Sequence, residues 1–134
     1  DFTFTSYTRV SLDSDKKKMI KIRPKTRFNQ LLKNTQIYTS TVIVRREAFL
    51  KFEMPNIRRR QDFAFWLLLL RDGSSFEKLN RPLTYYRIRP GSISRNKFKK
   101  AVRQWEIYRK LENINFVLSL YYFFHYAKNA VFRK

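Results

Sequence analysis

The chain has no cysteine, a single histidine, two glycines and only ten acidic residues. Without cysteine there is no disulfide scaffold, no thiol nucleophile and no cysteine-built zinc site. The lone His125 excludes a histidine-based metal cluster within the chain. Nor is there a run of the roughly 18–20 apolar residues that a membrane span needs. The longest apolar stretch, Ile114 to Ala127, is broken by Asn115, Ser119 and His125, so it could lie on a membrane but not cross one. The opening Asp1-Phe2-Thr3-Phe4-Thr5 lacks an initiator Met and a basic-then-apolar signal segment, as expected of a fragment.

What the chain does have is basic charge and aromatic rings. Its 134 residues suffice for one core. Thirty Lys plus Arg give a formal net charge of +20, so an anionic partner is expected. Hydrophobic residues are 43%, with thirteen Phe and eight Tyr, far too apolar for a disordered basic tail.

Phe2, Phe4 and Tyr7 to Val10 alternate with polar residues as a half-buried strand does, and Met19 to Ile22 reads as the returning strand across a turn at Asp13 to Lys17. Thr26 is a candidate cap for a short helix that carries Phe28, Leu31 and Leu32 and ends near Asn34. The β-branched run Thr39 to Val44 predicts a buried strand, Phe49 to Arg60 a loop, and Leu83 to Ile88 a further strand. Asp62 to Gly73 has the punctuation of a helix, acidic in its first turn and glycine-capped, and apolar on nearly every face. Ser94 or Asn96 could cap the next helix, in which Phe98, Val102 and Trp105 are expected to pack in the core beneath a Lys/Arg-rich outer face. A last helix is expected over about Asn115 to Phe132, with Tyr121, Tyr122 and Phe124 suited equally to core packing or to a membrane interface.

Four segments, Leu31 to Ile37, Thr39 to Arg46, Arg60 to Arg71 and Pro82 to Lys97, resemble the carboxyl-terminal half of bacterial glycosyltransferase family 2 enzymes, which have the GT-A fold. The resemblance covers nearly the whole chain. It implies an α/β architecture: the carboxyl-terminal half of a Rossmann-like GT-A domain, with mixed strands, a β-hairpin and C-terminal amphipathic helices. Residues 1–96 would be the acceptor-side half, and 97–134 a helical extension associated with membrane. Asp62 fits the place of the general base that deprotonates the acceptor hydroxyl, with Gln61 standing where Glu is usual. Arg60, Gln61 and Trp66 flank that base as binding residues. Arg87, Ser92 and Ser94 resemble the loop that closes over the donor diphosphate, and Arg89 stands nearest to where family members often carry a His. Taken without the resemblance, Asp62 is a helix cap, Arg87 a solvated strand residue and the serines turn formers.

The resemblance further implies a divalent metal, Mg²⁺ or Mn²⁺, for the complete enzyme, with ligands mostly outside this chain. Asp13-Ser14-Asp15 spells the metal-binding triplet, but among Ser and Lys in a hairpin turn it reads as a decoy. Expected partners are a nucleotide-sugar donor, a lipid-linked or saccharide acceptor and an anionic membrane surface, at the cytoplasmic, inner face of a bacterial membrane. The basic charge admits two other readings: a nucleic-acid-binding module with aromatic residues stacked on bases, or a non-catalytic membrane-surface domain. Against nucleic acid, the cations are scattered along the chain and no zinc-finger, RRM or KH motif is present.

Overall fold

The computed structural model describes residues 1–11, 17–21, 27–34, 37–57, 60–88 and 97–132. The fold is α/β, built around one central strand, β1 (Phe2–Ser11). On one edge β1 pairs antiparallel with β3 (Val42–Val44) along Phe2 to Phe4 and with β2 (Lys17–Ile20) along Tyr7 to Val10. On its other edge lies β4 (Phe76–Ile88), parallel over the full length of β1. The alternation of Phe2 and Phe4 with threonines places both rings on the buried face, as a period of two requires. The turn expected between β1 and β2 lies largely outside the described residues.

Several expectations are corrected. Thr39 to Val44 is a single 3-10 turn (Thr39–Thr41) followed by a three-residue edge strand, and Ile43 is 74% exposed. β-Branched residues fit a pleated surface; they do not by themselves specify burial. Part of the expected loop is a helix, α2 (Arg46–Leu50), which buries Ala48. Strand β4 starts at Phe76, well before Leu83, and its register against β1 slips beside Pro82. Proline has no N–H to give a ladder, so an irregularity there costs the least. The residue flanking α1 (Phe28–Lys33) is Arg27, Thr26 being outside the described residues.

Helix α3 (Gln61–Arg71) is the core's centre. Phe63 to Leu67 and Leu69 are all buried, against Phe2 and Phe4 of β1 and Leu31 and Leu32 of α1. Each of the Phe and Leu side chains contributes about 1.5–3 kcal/mol relative to exposure. The chain leaves α3 through Gly73 at φ +84°, which a glycine adopts without steric cost. Helix α4 (Lys97–Glu106) runs into a π-helical stretch, Ile107–Leu111, that delivers Ile107 and Tyr108 to the same core. The fully buried Tyr108 hydroxyl donates to the Leu32 carbonyl. Burial pushes its phenol far above the ordinary tyrosine value. Phe98 and Val102, expected in the core, are instead exposed, Phe98 at 78%, because α4 meets the body through Gln104 and its π-helical continuation. Trp105 does pack, edge-on to Phe116 and Phe123.

Helix α5 (Phe116–Phe132) opens with the Asn115 Oδ1 accepting the Leu118 N–H at 2.8 Å. It is stitched to α1 by polar contacts: Lys33 Nζ to the Tyr121 hydroxyl at 2.8 Å, the Tyr122 hydroxyl to Asn29, and the Asn129 amide to the Lys33 carbonyl. Only Ser119 of this helix is buried, leaving Val117, Leu120, Phe124 and Phe132 as an exposed apolar face. Among the described residues no helix is long and apolar enough to cross a membrane.

Candidate active site

Arg60 precedes α3 in the left-handed conformation, φ 63°, a geometry that costs a non-glycine residue about 1–2 kcal/mol. Its guanidinium is held over the Phe63 ring at 4.6 Å and donates to the Tyr126 hydroxyl at 3.3 Å. The half-turn this creates aims Asp62 out of the core: Phe63 behind it is buried, Asp62 itself is partly exposed, and Gln61 is exposed beside it. The Asp62 carboxylate accepts two hydrogen bonds, from the Phe63 N–H at 2.8 Å and from the Thr39 hydroxyl at 2.6 Å. The carboxylate thus already holds one hydroxyl donor and has acceptor capacity left for another.

Around Thr39 the 3-10 turn and β4 form a wall. The Thr84 hydroxyl reaches the Ser40 carbonyl at 3.4 Å. Tyr38, Tyr7 and Tyr86 pack ring to ring, with Tyr38 4.6 Å from Tyr7 and 5.3 Å from Tyr86. From α4, the partly buried Lys100 enters the fields of Tyr38, Arg60 and Arg9. Burial, and then Arg60 and Arg9 against an opposing contribution from Tyr38, pull its ammonium below the ordinary lysine value.

The structure brings Arg60, Gln61 and Asp62 together and removes Trp66 from them. Trp66 is 4% exposed, stacked on Phe2 at 5.6 Å and edge-on to Phe65, so it lies in the core, away from the exposed Gln61. Arg87 is exposed on β4 next to Tyr86. Because strand side chains alternate, Tyr86 and Thr84 face the Asp62 wall while Arg87 faces the other side. Arg89, Ser92, Ser94 and the Asp13-Ser14-Asp15 triplet lie outside the described residues. Among the described residues no three His, Cys, Asp or Glu side chains converge to hold a metal ion. Sequence reasoning missed Thr39, Tyr38, Lys100 and Arg9. Their only signal was residue type, since each comes from a different stretch of chain than Asp62.

Along nearly its whole length the chain is similar to glycosyltransferases, consistent with the carboxyl-terminal portion of a family 2 enzyme that its sequence resembles. It is 40% identical over 131 residues to a Bacillus subtilis protein named for teichuronic acid biosynthesis and glycosyl transfer, TuaG, a match covering 97% of this chain and 52% of the relative. It is 33% identical over 129 residues to a glycosyltransferase of Haemophilus influenzae, 96% of this chain and 51% of that protein. It is also 33% identical over 110 residues to the Escherichia coli UDP-Glc:α-D-GlcNAc-diphosphoundecaprenol β-1,3-glucosyltransferase WfaP, 82% of this chain and 43% of WfaP. The chain thus spans about half the length of the curated relatives it matches. No protein-family model and no solved structure matches it.

Proposed function

We propose that this chain is the acceptor-side portion of an inverting glycosyltransferase that moves a sugar from a nucleotide-sugar donor to a lipid-linked saccharide in the making of a bacterial surface polysaccharide or glycolipid. The observation that carries the reading is the Asp62 carboxylate, placed at the rim of the core and already accepting a hydroxyl proton donor, Thr39, at 2.6 Å. In the reaction an acceptor hydroxyl donates to the same carboxylate, which Thr39 holds in orientation. Its oxygen bonds to the anomeric carbon while the bond from that carbon to the nucleoside diphosphate breaks on the opposite face, and the hydroxyl proton passes to Asp62. Gln61 and Arg60 flank the acceptor. Arg87, Arg89, Ser92 and Ser94 are assigned to the leaving diphosphate on the family resemblance, a charge-assisted role that suits their chemistry. A Mg²⁺ or Mn²⁺, held by ligands mostly outside this chain, would neutralise the donor diphosphate.

The acceptor class is supported by the relative WfaP, whose name specifies a diphosphoundecaprenol-linked acceptor. A peripheral position on the cytoplasmic face of the membrane is supported by the net charge of +20 and by the exposed apolar face of α5. The test is Asp62→Asn in the enzyme, assayed with nucleotide sugars and a lipid extract. A fall in kcat of about a hundredfold or more with unchanged folding is expected, and a fall below about tenfold removes Asp62 as the base.

A further inference from the structure

Arg60 is gripped by two helices that lie far apart in the sequence. It stands immediately before α3 at φ 63°, and its carbonyl accepts the Ala64 N–H at 3.0 Å, the bond that starts the helix. A residue in that position ordinarily has an extended backbone, and one with a Cβ stays left-handed only where its surroundings hold it there. The guanidinium supplies the restraint. It lies over the Phe63 ring of α3 at 4.6 Å and over the Tyr126 ring of α5 at 5.4 Å, and it donates to the Tyr126 hydroxyl at 3.3 Å. Phe63 is 5% exposed and fixed in the core. Tyr126 is backed by Phe123, which packs edge-on to Trp105. Two residues beyond Arg60, in the first turn of α3, Asp62 keeps Oδ1 on the Phe63 N–H and Oδ2 on the Thr39 hydroxyl. Both bonds depend on the direction in which that turn leaves Arg60, and so on the contacts that fix its torsion.

We propose that Tyr126 is a positioning residue for Asp62 and acts through Arg60, its hydroxyl and ring holding the guanidinium that keeps the start of α3 in its left-handed turn. The proposal rests on the reading of Asp62 as the base. Helix α5 is then part of the scaffold of the site, besides carrying an exposed apolar face. Tyr126 touches no substrate in this role. Releasing it lowers the fraction of molecules whose carboxylate is aligned, so kcat falls while KM stays, whereas a residue that binds the acceptor changes KM.

The test is Tyr126→Phe, which keeps the ring and removes the hydroxyl. In the enzyme it should lower kcat by about threefold to tenfold, with KM for donor and acceptor within about twofold of the parent. Tyr122→Phe is the control. It removes a hydroxyl from the same helix, one that bonds Asn29 of α1, and should turn over as the parent does. Arg60→Gly removes the guanidinium and leaves the torsion freely accessible. In that background Tyr126→Phe should change kcat by less than about twofold, since the path is already cut. Independently of turnover, hydrogen exchange at the Phe63 amide, followed by NMR, should be about fivefold or more faster in Tyr126→Phe and unchanged in Tyr122→Phe. Parental kcat in Tyr126→Phe overturns the proposal. So does an equal loss in Tyr122→Phe, which assigns the effect to the docking of α5 in general, and so do losses that multiply in the double variant. If Arg60→Gly misfolds by circular dichroism, Phe63 exchange in Tyr126→Phe decides. Full turnover in Asp62→Asn would remove the base assignment, and the restraint is then decided by the exchange alone: faster exchange in Tyr126→Phe sustains it and unchanged exchange overturns it.

Discussion

Thr39 and Tyr108 each make one hydrogen bond that can be removed with little change in side-chain size. Thr39 orients the Asp62 carboxylate from an exposed turn. Thr39→Val should leave the melting temperature unchanged and lower kcat by about threefold to tenfold, with KM for the donor unaffected, as steady-state kinetics will show. Tyr108 is the opposite case, fully buried, with its hydroxyl on the Leu32 carbonyl. Tyr108→Phe leaves that carbonyl without its donor and should cost about 1–3 kcal/mol in denaturant unfolding. The same residue sets an alkaline limit. Its folded pKa is raised above the ordinary value of 10.0, so its contribution is complete below pH 10 and drains away at higher pH as the unfolded chain ionises first. Parent and Tyr108→Phe stability should therefore converge as pH rises beyond 10, which a series of chemical melts can follow.

At the level of elements, an ion pair joins the end of α3 to the residue that follows the π-helical stretch, beside their shared core packing. Arg71, half-exposed at the end of α3, meets Glu112, whose side chain is 1% exposed. Removing the arginine strands a buried carboxylate, so Arg71→Met should cost about 3–5 kcal/mol. The double variant Arg71→Met, Glu112→Leu should recover most of that loss, and a double-mutant cycle on unfolding free energies measures the difference. The π-helical stretch also explains why a straight amphipathic helix was the wrong expectation for residues 98–112. Widening one turn redirects Ile107 and Tyr108 into the core and leaves Phe98 and Val102 on the surface.

For the molecule as a whole, charge and the face of α5 act together. On the proposed membrane reading, the +20 charge would draw the chain to anionic surfaces, and the exposed Val117, Leu120 and Phe124 would supply apolar area that ions cannot screen. Sedimentation with anionic vesicles should therefore fall as salt rises, and Val117→Ser with Phe124→Ser should weaken it at every salt concentration. Binding indifferent to both lipid charge and salt would remove the membrane from the proposal.

The sequence by itself determined the existence of α3, the β1–β2 pairing and the position of Asp62 in the first turn of a helix, because each follows from local periodicity, capping chemistry or residues adjacent in the chain. It also carried the family resemblance, through runs of consecutive residues. Only the tertiary structure decided that Trp66 points inward while Asp62 points out, that Arg87 faces away from the Asp62 wall, and that Thr39 donates to the carboxylate. Those placements depend on how β1, α3 and α4 cross, and on a left-handed residue at Arg60 and a π-helical turn at Ile107 that no local preference announces. The exposed face of α5 belongs to the same group: apolar periodicity shows that a face exists, while its burial depends on what the fold sets against it.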